Sequence, residues 1–228
     1  MSEKKTIAIV AGAGSGRRLG LAAKKPFVML GGRPIITYCL AVLGASKIID
    51  EIIVAVDESC IGRMRRLIPR YHLKKIRDVV RGGASRFESV RNCLERLDPS
   101  CGIVLIHDAA RPFLEEGLIR GTIASAKRFG ASIAAVPEQD TIKSVKGGLF
   151  ISNTVDRSRI WRAQTPQVFR RSLIVEAYAN APRDSSKITD DSCLIERLGK
   201  KVRIASGSYK NIKITTKEDL TLARKLIR

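Results

Sequence analysis

Apolar residues recur along this chain in short uninterrupted runs, separated by longer stretches in which they fall three or four positions apart. The runs at residues 6–10, 51–56, 76–80, 102–107, 132–136 and 201–205 have the length and β-branched content of strands covered on both faces. The stretches between and after them read as helices at about 35–46, 59–68, 86–97, 115–129, 172–179, 190–198 and 217–226. Pro34 stands where a first-turn proline opens the first of these, Pro69 is expected to stop the second, and Asp98-Pro99-Ser100 closes the third. Strand and helix alternate, which predicts an α/β fold with a Rossmann-like, mostly parallel sheet and helices on both faces.

The alternation breaks between residues 138 and 161. Thr141-Ile142-Lys143-Ser144-Val145, Gly147-Gly148 and Leu149-Phe150-Ile151 read as two short strands around a glycine turn, a protruding β-arm. A lone two-stranded hairpin is marginal in water, so the arm is expected to pack on something else, such as a second subunit. No repeat, low-complexity tract or linker interrupts the chain, and residues 1–228 are expected to form a single domain with the arm at 138–161 inserted.

Composition narrows the class. Of 228 residues, 44% are hydrophobic and 28% charged, as in ordinary globular proteins. Nothing approaches the ~18 apolar residues of a membrane span, and Met1-Ser2-Glu3-Lys4-Lys5 leads straight into a strand, so a cytoplasmic protein is expected. Five cysteines are scattered without metal-ligand spacing, which suits reduced thiols. The net charge of +20 favours polyanionic partners. The densest basic segment, residues 63–81, contains a single aromatic, Tyr71, and makes a poor base-stacking platform. Arg63, Arg65, Arg66, Arg70, Lys74 and Lys75 therefore read as a solvated face, and a basic nucleic-acid-binding protein is kept only as the rival of another class.

Candidate chemistry gathers where an open parallel sheet binds ligands, beyond the carboxyl ends of its strands. The first strand runs into Gly12-Ala13-Gly14-Ser15-Gly16-Arg17-Arg18, followed by Lys24-Lys25-Pro26. Glycines let backbone N–H groups approach oxyanions, and the cations offset charge that a backbone cradle leaves over. The loop lacks the Gly-Lys-Ser/Thr ending of a P-loop, and no acid follows about twenty residues on, as a dinucleotide site requires. It fits a nucleoside triphosphate held by backbone amides, with Arg18 and Lys25 reaching the phosphates. Gly82-Gly83 through Ser89, Asp108 through Arg111, and Asp140-Thr141 follow later strands. His107 closes an apolar strand and reads as a hydrogen-bonded, partly buried side chain, and no metal-ligand cluster is present.

The glycine loop, Gly82-Gly83-Ala84-Ser85-Arg86-Phe87-Glu88-Ser89-Val90, His107-Asp108-Ala109-Ala110-Arg111-Pro112, Asp140-Thr141-Ile142-Lys143, Thr154-Val155-Asp156-Arg157, Gln164-Thr165-Pro166-Gln167-Val168-Phe169 and Asn211-Ile212-Lys213-Ile214-Thr215 occur in the order of one family. In these motifs, from about residue 7 to 222, the chain resembles the cytidylyltransferases that make CDP-methylerythritol in the non-mevalonate isoprenoid pathway. The resemblance implies a nucleotidyltransferase fold and attack by the 4-phosphate of methylerythritol on the α-phosphate of CTP, expelling pyrophosphate. It implies Arg18, Lys25, Arg157 and Lys213 as catalytic residues, the first two stabilising the transition state and the last two orienting the acceptor phosphate. CTP would lie against Gly12, Ala13, Gly14, Gly16, Gly82, Gly83, Ser89, Asp108 and Ala109. The sugar phosphate would lie against Arg111, Thr141, Arg157, Thr165 and Lys213. Mg²⁺ would be held mainly by the CTP phosphates, and Arg157 would come from the other subunit of a homodimer joined through the β-arm. Two departures stand out. Lys24-Lys25-Pro26 occupies the place of the family's Pro-Lys-Gln, leaving Lys24 as a rival to Lys25, and Ala84-Ser85 replaces an acidic pair. A ribitol 5-phosphate cytidylyltransferase shares the nucleotide machinery and remains the alternative acceptor reading.

Overall fold

In the computed structural model, which describes residues 4–14, 16, 24–182, 184 and 188–227, each apolar run is a strand. The order begins with β1 (Lys5–Gly12), a small hairpin of β2 (Met29–Leu30) and β3 (Arg33–Pro34), α1 (Ile35–Ala45), β4 (Glu51–Val56), α2 (Ile61–Arg70), β5 (Ile76–Arg81) and α3 (Arg86–Leu94). It continues with β6 (Cys101–Asp108), α4 (Glu116–Phe129), β7 (Ala131–Pro137), the arm strands β8 (Lys143–Lys146) and β9 (Phe150–Thr154), and β10 (Trp161–Arg170). Then come α5 (Arg171–Ala179), α6 (Ser192–Arg197), β11 (Arg203–Ser206) and α7 (Lys217–Leu226). The main sheet runs β11-β7-β10-β6-β1-β4-β5.

Strands β1, β4, β6 and β7 are apolar on both faces because both faces are covered. Ala8 and Val10 of β1, with Val54, Val56 and Leu105, pack against Ile36, Leu40 and Leu43 of α1, Met64 and Leu67 of α2, and Ile119 and Ile123 of α4. The intervening Ile7 and Ile9, with Ile53, Val104 and Ile106, pack against Phe87 and Val90 of α3, Ile174 and Ala177 of α5, and Leu194 and Ile195 of α6. A one-residue slip of β1 would exchange these sets, so the double burial fixes its register. α7 is held by a capping box between Thr216 and Asp219 and lays Leu220 and Ala223 on Val28, Leu30 and Ile214.

Several element boundaries differ from the sequence expectation. α2 continues through Pro69, because a proline in the last turn removes one hydrogen bond while the Tyr71 N–H still closes on the Leu67 carbonyl at 3.0 Å. α3 ends at Leu94 instead of 97, passing into turns in which Leu97 N–H donates to Leu94 O at 3.1 Å. The helix expected at 190–198 contracts to α6, since the Asp190 carboxylate accepts from the Cys193 N–H at 3.0 Å and caps its first turn.

The larger correction is β10, which the sequence pattern missed. It lies between β6 and β7, antiparallel to both. Its buried positions include Gln164, Thr165 and Gln167 as well as Val168 and Phe169, so it lacks the apolar run that marks the other strands. Pro166 sits where the pairing register shifts, between Ala163 and Gln167, in a cis Thr165–Pro166 unit. Proline donates no ladder hydrogen bond and is tolerated at such irregularities.

β10 is tied to the end of β6 by a buried chain of hydrogen bonds. The Asp108 N–H donates to Thr165 Oγ1 at 3.1 Å, and Thr165 Oγ1 meets His107 Nδ1 at 3.0 Å. His107 Nε2 lies 3.1 Å from the Arg111 carbonyl, which can only accept. The imidazole therefore carries its proton on Nε2 and accepts the Thr165 hydroxyl at Nδ1. Burial pushes the His107 pKa down to about 4, so folding favours the neutral ring. Because the unfolded ring titrates near 6.5, this contribution is complete above that pH and is lost as pH falls from about 6.5 towards 4. Urea unfolding at pH 7.5 and pH 5 is expected to show a loss of stability about 2 kcal/mol larger in the native chain than in His107→Gln. Equal losses in both would remove His107 as the source.

Candidate active site

The carboxyl ends of β1, β4 and β6 open into a cleft of about 620 Å³. It lies where the strand order reverses, β1 leading outward to β4 and β5 while β6 returns on the other side of β1. Such a switch point separates the loops leaving adjacent strands and leaves room for a ligand.

Small residues bring three loops to this point. A Cβ at Gly12 would lie 3.1 Å from the Ala55 carbonyl oxygen and 3.3 Å from the Ala109 Cβ. One at Gly82 would fall 2.1 Å from the Ala13 Cβ, so the glycine loop and the double-glycine turn interlock only without side chains. Gly16 has φ +71°, and a Cβ there would press on the Lys25 Cβ at 2.8 Å. That glycine sets the position of the Lys25 backbone. Gly12, Ala13, Gly14, Lys24, Lys25, Gly83, Ser89, Asp108, Ala109 and Lys213 all line the cleft, whereas Gly82 faces an adjoining hollow. Arg18 lies outside the described residues.

The turn before α3 is locked by its own side chains. Ser85 Oγ caps the helix by accepting from Glu88 N–H at 3.1 Å, and Glu88 Oε2 accepts from Ala84 N–H at 2.8 Å. Ser89 Oγ accepts from Gly83 N–H at 3.1 Å and donates to Ser85 O at 2.8 Å. Where the sequence lacks an acidic pair at 84–85, the carboxylate bonding this turn is that of Glu88.

Electrostatics centre on Asp108, at the end of β6 and 6% exposed. Its Oδ1 accepts from Arg86 Nε at 2.8 Å and its Oδ2 pairs with Lys213 Nζ at 2.6 Å. Burial alone would raise the Asp108 pKa; Arg86 and Lys213 outweigh it and hold the carboxyl well below the usual range. Arg86 turns its two terminal nitrogens to Asp191, at 2.9 and 2.7 Å, and Tyr178 donates to the same carboxylate at 2.6 Å. Burial works against the Arg86 charge, but Asp191 and Asp108 prevail and raise its pKa well above the ordinary value. Across the cleft, Lys24 Nζ pairs with Asp57 Oδ2 at 2.8 Å. That hydrogen bond, with one from Ser59, draws the Asp57 pKa down to about 2.

Not every candidate converges here. Thr165 and Arg111 lie beneath the cleft. Arg111 is buried, donates to the Asn211 carbonyl at 2.6 Å and the Ala163 carbonyl at 3.4 Å, and leaves its Nε unbonded. Thr141 is exposed before β8, and Arg157 is exposed beyond β9, donating to the Gln139 carbonyl at the base of the arm. Sequence reasoning overlooked Arg86 and Asp191. A usable signal exists: an arginine in the first turn of a helix opposes the helix dipole and calls for a carboxylate partner.

The family model for IspD, 2-C-methyl-D-erythritol 4-phosphate cytidylyltransferase, matches residues 6–228. A protein of that name from Syntrophotalea carbinolica is 47% identical over 95% of this chain and 93% of its own. One from Syntrophus aciditrophicus is 45% identical over 98% and 96%. Among solved structures, the 4-diphosphocytidyl-2C-methyl-D-erythritol synthase of Anaerococcus prevotii superposes with a TM-score of 0.86 at 32% identity, covering 99% of both chains. The Thermus thermophilus cytidylyltransferase does so with a TM-score of 0.80 at 30% identity, over 97% of this chain and 98% of that one. With the matched segment spanning the glycine loop, the double-glycine turn, Asp108 and Lys213, the chain belongs to the 2-C-methyl-D-erythritol 4-phosphate cytidylyltransferase family.

Proposed function

We propose that the chain carries out its family's reaction in the cleft above β1, β4 and β6, transferring CMP from CTP to 2-C-methyl-D-erythritol 4-phosphate with release of pyrophosphate. The observation that carries the assignment of the site is the meeting of the glycine loop and Lys25 with Asp108 and Lys213 at the sheet's switch point. Such transfers leave little covalent work to a protein; positioning and charge stabilisation supply the rate.

In this reading the triphosphate lies against Gly12, Ala13, Gly14 and Gly16, and Arg18 and Lys25 are the cations that serve its α-phosphate. The charge that develops on its oxygens in the pentacoordinate state is what these two cations stabilise. Lys25 is preferred to Lys24 by its sequence spacing from Arg18. Cytosine lies against Gly82, Gly83 and Ser89, and Asp108 and Ala109 border the nucleotide. Lys213 receives the acceptor's phosphate from the far wall.

Among the described residues no three His, Cys, Asp or Glu side chains converge as a metal cage. A divalent cation would be held mainly by the triphosphate, since the carboxylates lining the cleft, Asp57 and Asp108, are already paired with Lys24 and with Arg86 and Lys213. When bound, Mg²⁺ would offset charge on the phosphate oxygens.

We also read the chain as one nucleotidyltransferase domain working as a cytoplasmic homodimer. The arm between β8 and β9 leaves Val145, Leu149, Phe150 and Ile151 56%, 87%, 77% and 64% exposed, more apolar surface than a free hairpin keeps without a cover. Docked on a second copy, the arm would carry Thr141 and Arg157 towards that copy's cleft. The cysteines are free, and burial pushes Cys39 up to about 12 and Cys101 up to about 11, as suits inert thiols in a reducing compartment.

Pyrophosphate release from CTP and methylerythritol 4-phosphate, with ribitol 5-phosphate and the other nucleotides as controls, tests the activity; turnover of ribitol phosphate alone would overturn the acceptor. Lys25→Ala is expected to lower kcat on the order of a hundredfold or more, and Lys24→Ala much less. A larger loss in Lys24→Ala would exchange their roles.

Phe150→Asp is expected to shift the chain to monomer in sedimentation velocity and to reduce turnover with it. Mixing inactive Lys25→Ala with inactive Arg157→Ala subunits is expected to restore partial activity, since one site of each mixed dimer regains both residues. Mixed dimers that form and stay inactive would show that the site is not shared.

A further inference from the structure

Beneath the cleft, Asp191 is fully buried and bonded at every turn. Its carboxylate takes both terminal nitrogens of Arg86, at 2.9 and 2.7 Å, and the Tyr178 hydroxyl at 2.6 Å. Its backbone N–H is fixed in turn by Gln167 Oε1 of β10 at 3.1 Å. With both terminal nitrogens held by Asp191, the guanidinium is fixed so that its bond to Asp108 runs through Nε, onto Oδ1 at 2.8 Å. Oδ2 is left to Lys213, at 2.6 Å. The two contacts on Asp108 differ in kind. Arg86 is anchored from below, whereas the Lys213 side chain is 40% exposed and lines the cleft.

We propose that Asp191 is a positioning residue for this reaction: by occupying the Arg86 fork it reserves one oxygen of Asp108 for Lys213, which stations the Lys213 ammonium at the cleft wall for transfer to the acceptor's phosphate. The inference rests on the reading of the cleft given above. Charge supports it. Two carboxylates and two cations make the cluster neutral, and removing the charge of Asp191 leaves Arg86 with Asp108 as its remaining anionic partner. A guanidinium prefers to bind a carboxylate with two parallel hydrogen bonds, so its terminal nitrogens would turn to Asp108 and displace Lys213 from Oδ2.

A kinetic double-mutant cycle separates this role from support of the fold. In the full-length protein, Lys213→Ala is expected to lower kcat/KM for methylerythritol 4-phosphate about a hundredfold and Asp191→Asn about tenfold. The double variant is expected to fall within about threefold of Lys213→Ala alone, because without the ammonium nothing remains to be misplaced. A double variant showing the product of the two losses overturns the inference, since independent structural damage adds in free energy. Should Asp191→Asn fail to fold, Tyr178→Phe keeps the charge and removes one hydrogen bond to it. The same cycle then applies, with a smaller single loss and the same non-additivity expected. Wild-type protein that releases no pyrophosphate overturns the activity and this inference together, while active wild type with an additive cycle overturns this inference alone.

Discussion

Taking the Asp108 carboxylate out of water at the end of β6 costs several kcal/mol unless cations offset it, and Arg86 and Lys213 do so at 2.8 and 2.6 Å. Neither cation comes from a neighbouring stretch of chain. Arg86 opens α3 and Lys213 precedes α7, so the carboxylate is satisfied only when both helices are seated on the sheet. Removing one partner of such a pair leaves an uncompensated buried charge and typically costs 3–5 kcal/mol. Folding and assembly of the cleft are in this respect one event.

β10 makes that arrangement reproducible. Its three buried polar side chains each reach a different segment. Gln164 holds the Ser208 carbonyl, Thr165 the Asp108 backbone, and Gln167 the Asp191 and Ser192 backbone, all at 2.9–3.1 Å. These segments carry Lys213, Asp108 and Asp191. A strand of the usual apolar kind would have packed equally well against β6 and β7 but would have left the 190–192 and 207–213 loops without these side-chain anchors. Polar groups on an inner strand are tolerable because each finds its partner, and a fully bonded buried network specifies one geometry where an apolar contact admits several.

That design also explains what the sequence reveals and what it conceals. The doubly buried parallel strands, the glycine loop and the hairpin arm announce themselves through apolar runs, φ-permissive glycines and β-prone residues, all local signals. The choice between Lys24 and Lys25 is not legible in this way, because the sequence sets the two side by side. β10 is hidden because its inward residues are polar and Pro166 interrupts it. The Arg86–Asp191 bond joins residues 105 apart, and no local pattern encodes such a pairing. Arg111, which the family resemblance implies as a sugar-phosphate residue, bonds through its terminal nitrogens to backbone carbonyls of β10 and the 207–213 loop, contacts between segments far apart in sequence that no local pattern encodes.

The net charge of +20 invites a polyanion as partner, and the surroundings of the aromatic rings weigh on that question. Unspecific binding of single-stranded nucleic acid draws on exposed aromatic faces on which bases stack. Among the described residues many such faces already carry a guanidinium of the same chain. Arg33 lies 5.1 Å from both the Tyr38 and Tyr71 ring centres, Arg162 lies 5.5 Å over Tyr209, and Arg128 and Arg203 lie 5.0 and 5.6 Å over Phe129. Each such contact is worth about 0.5–1 kcal/mol at an exposed site, and each withdraws one ring face from stacking on a base. Part of the arginine excess thus covers aromatic surface, and a positive field also serves anions whose charge is concentrated. Sugar phosphates and nucleoside triphosphates are of that kind.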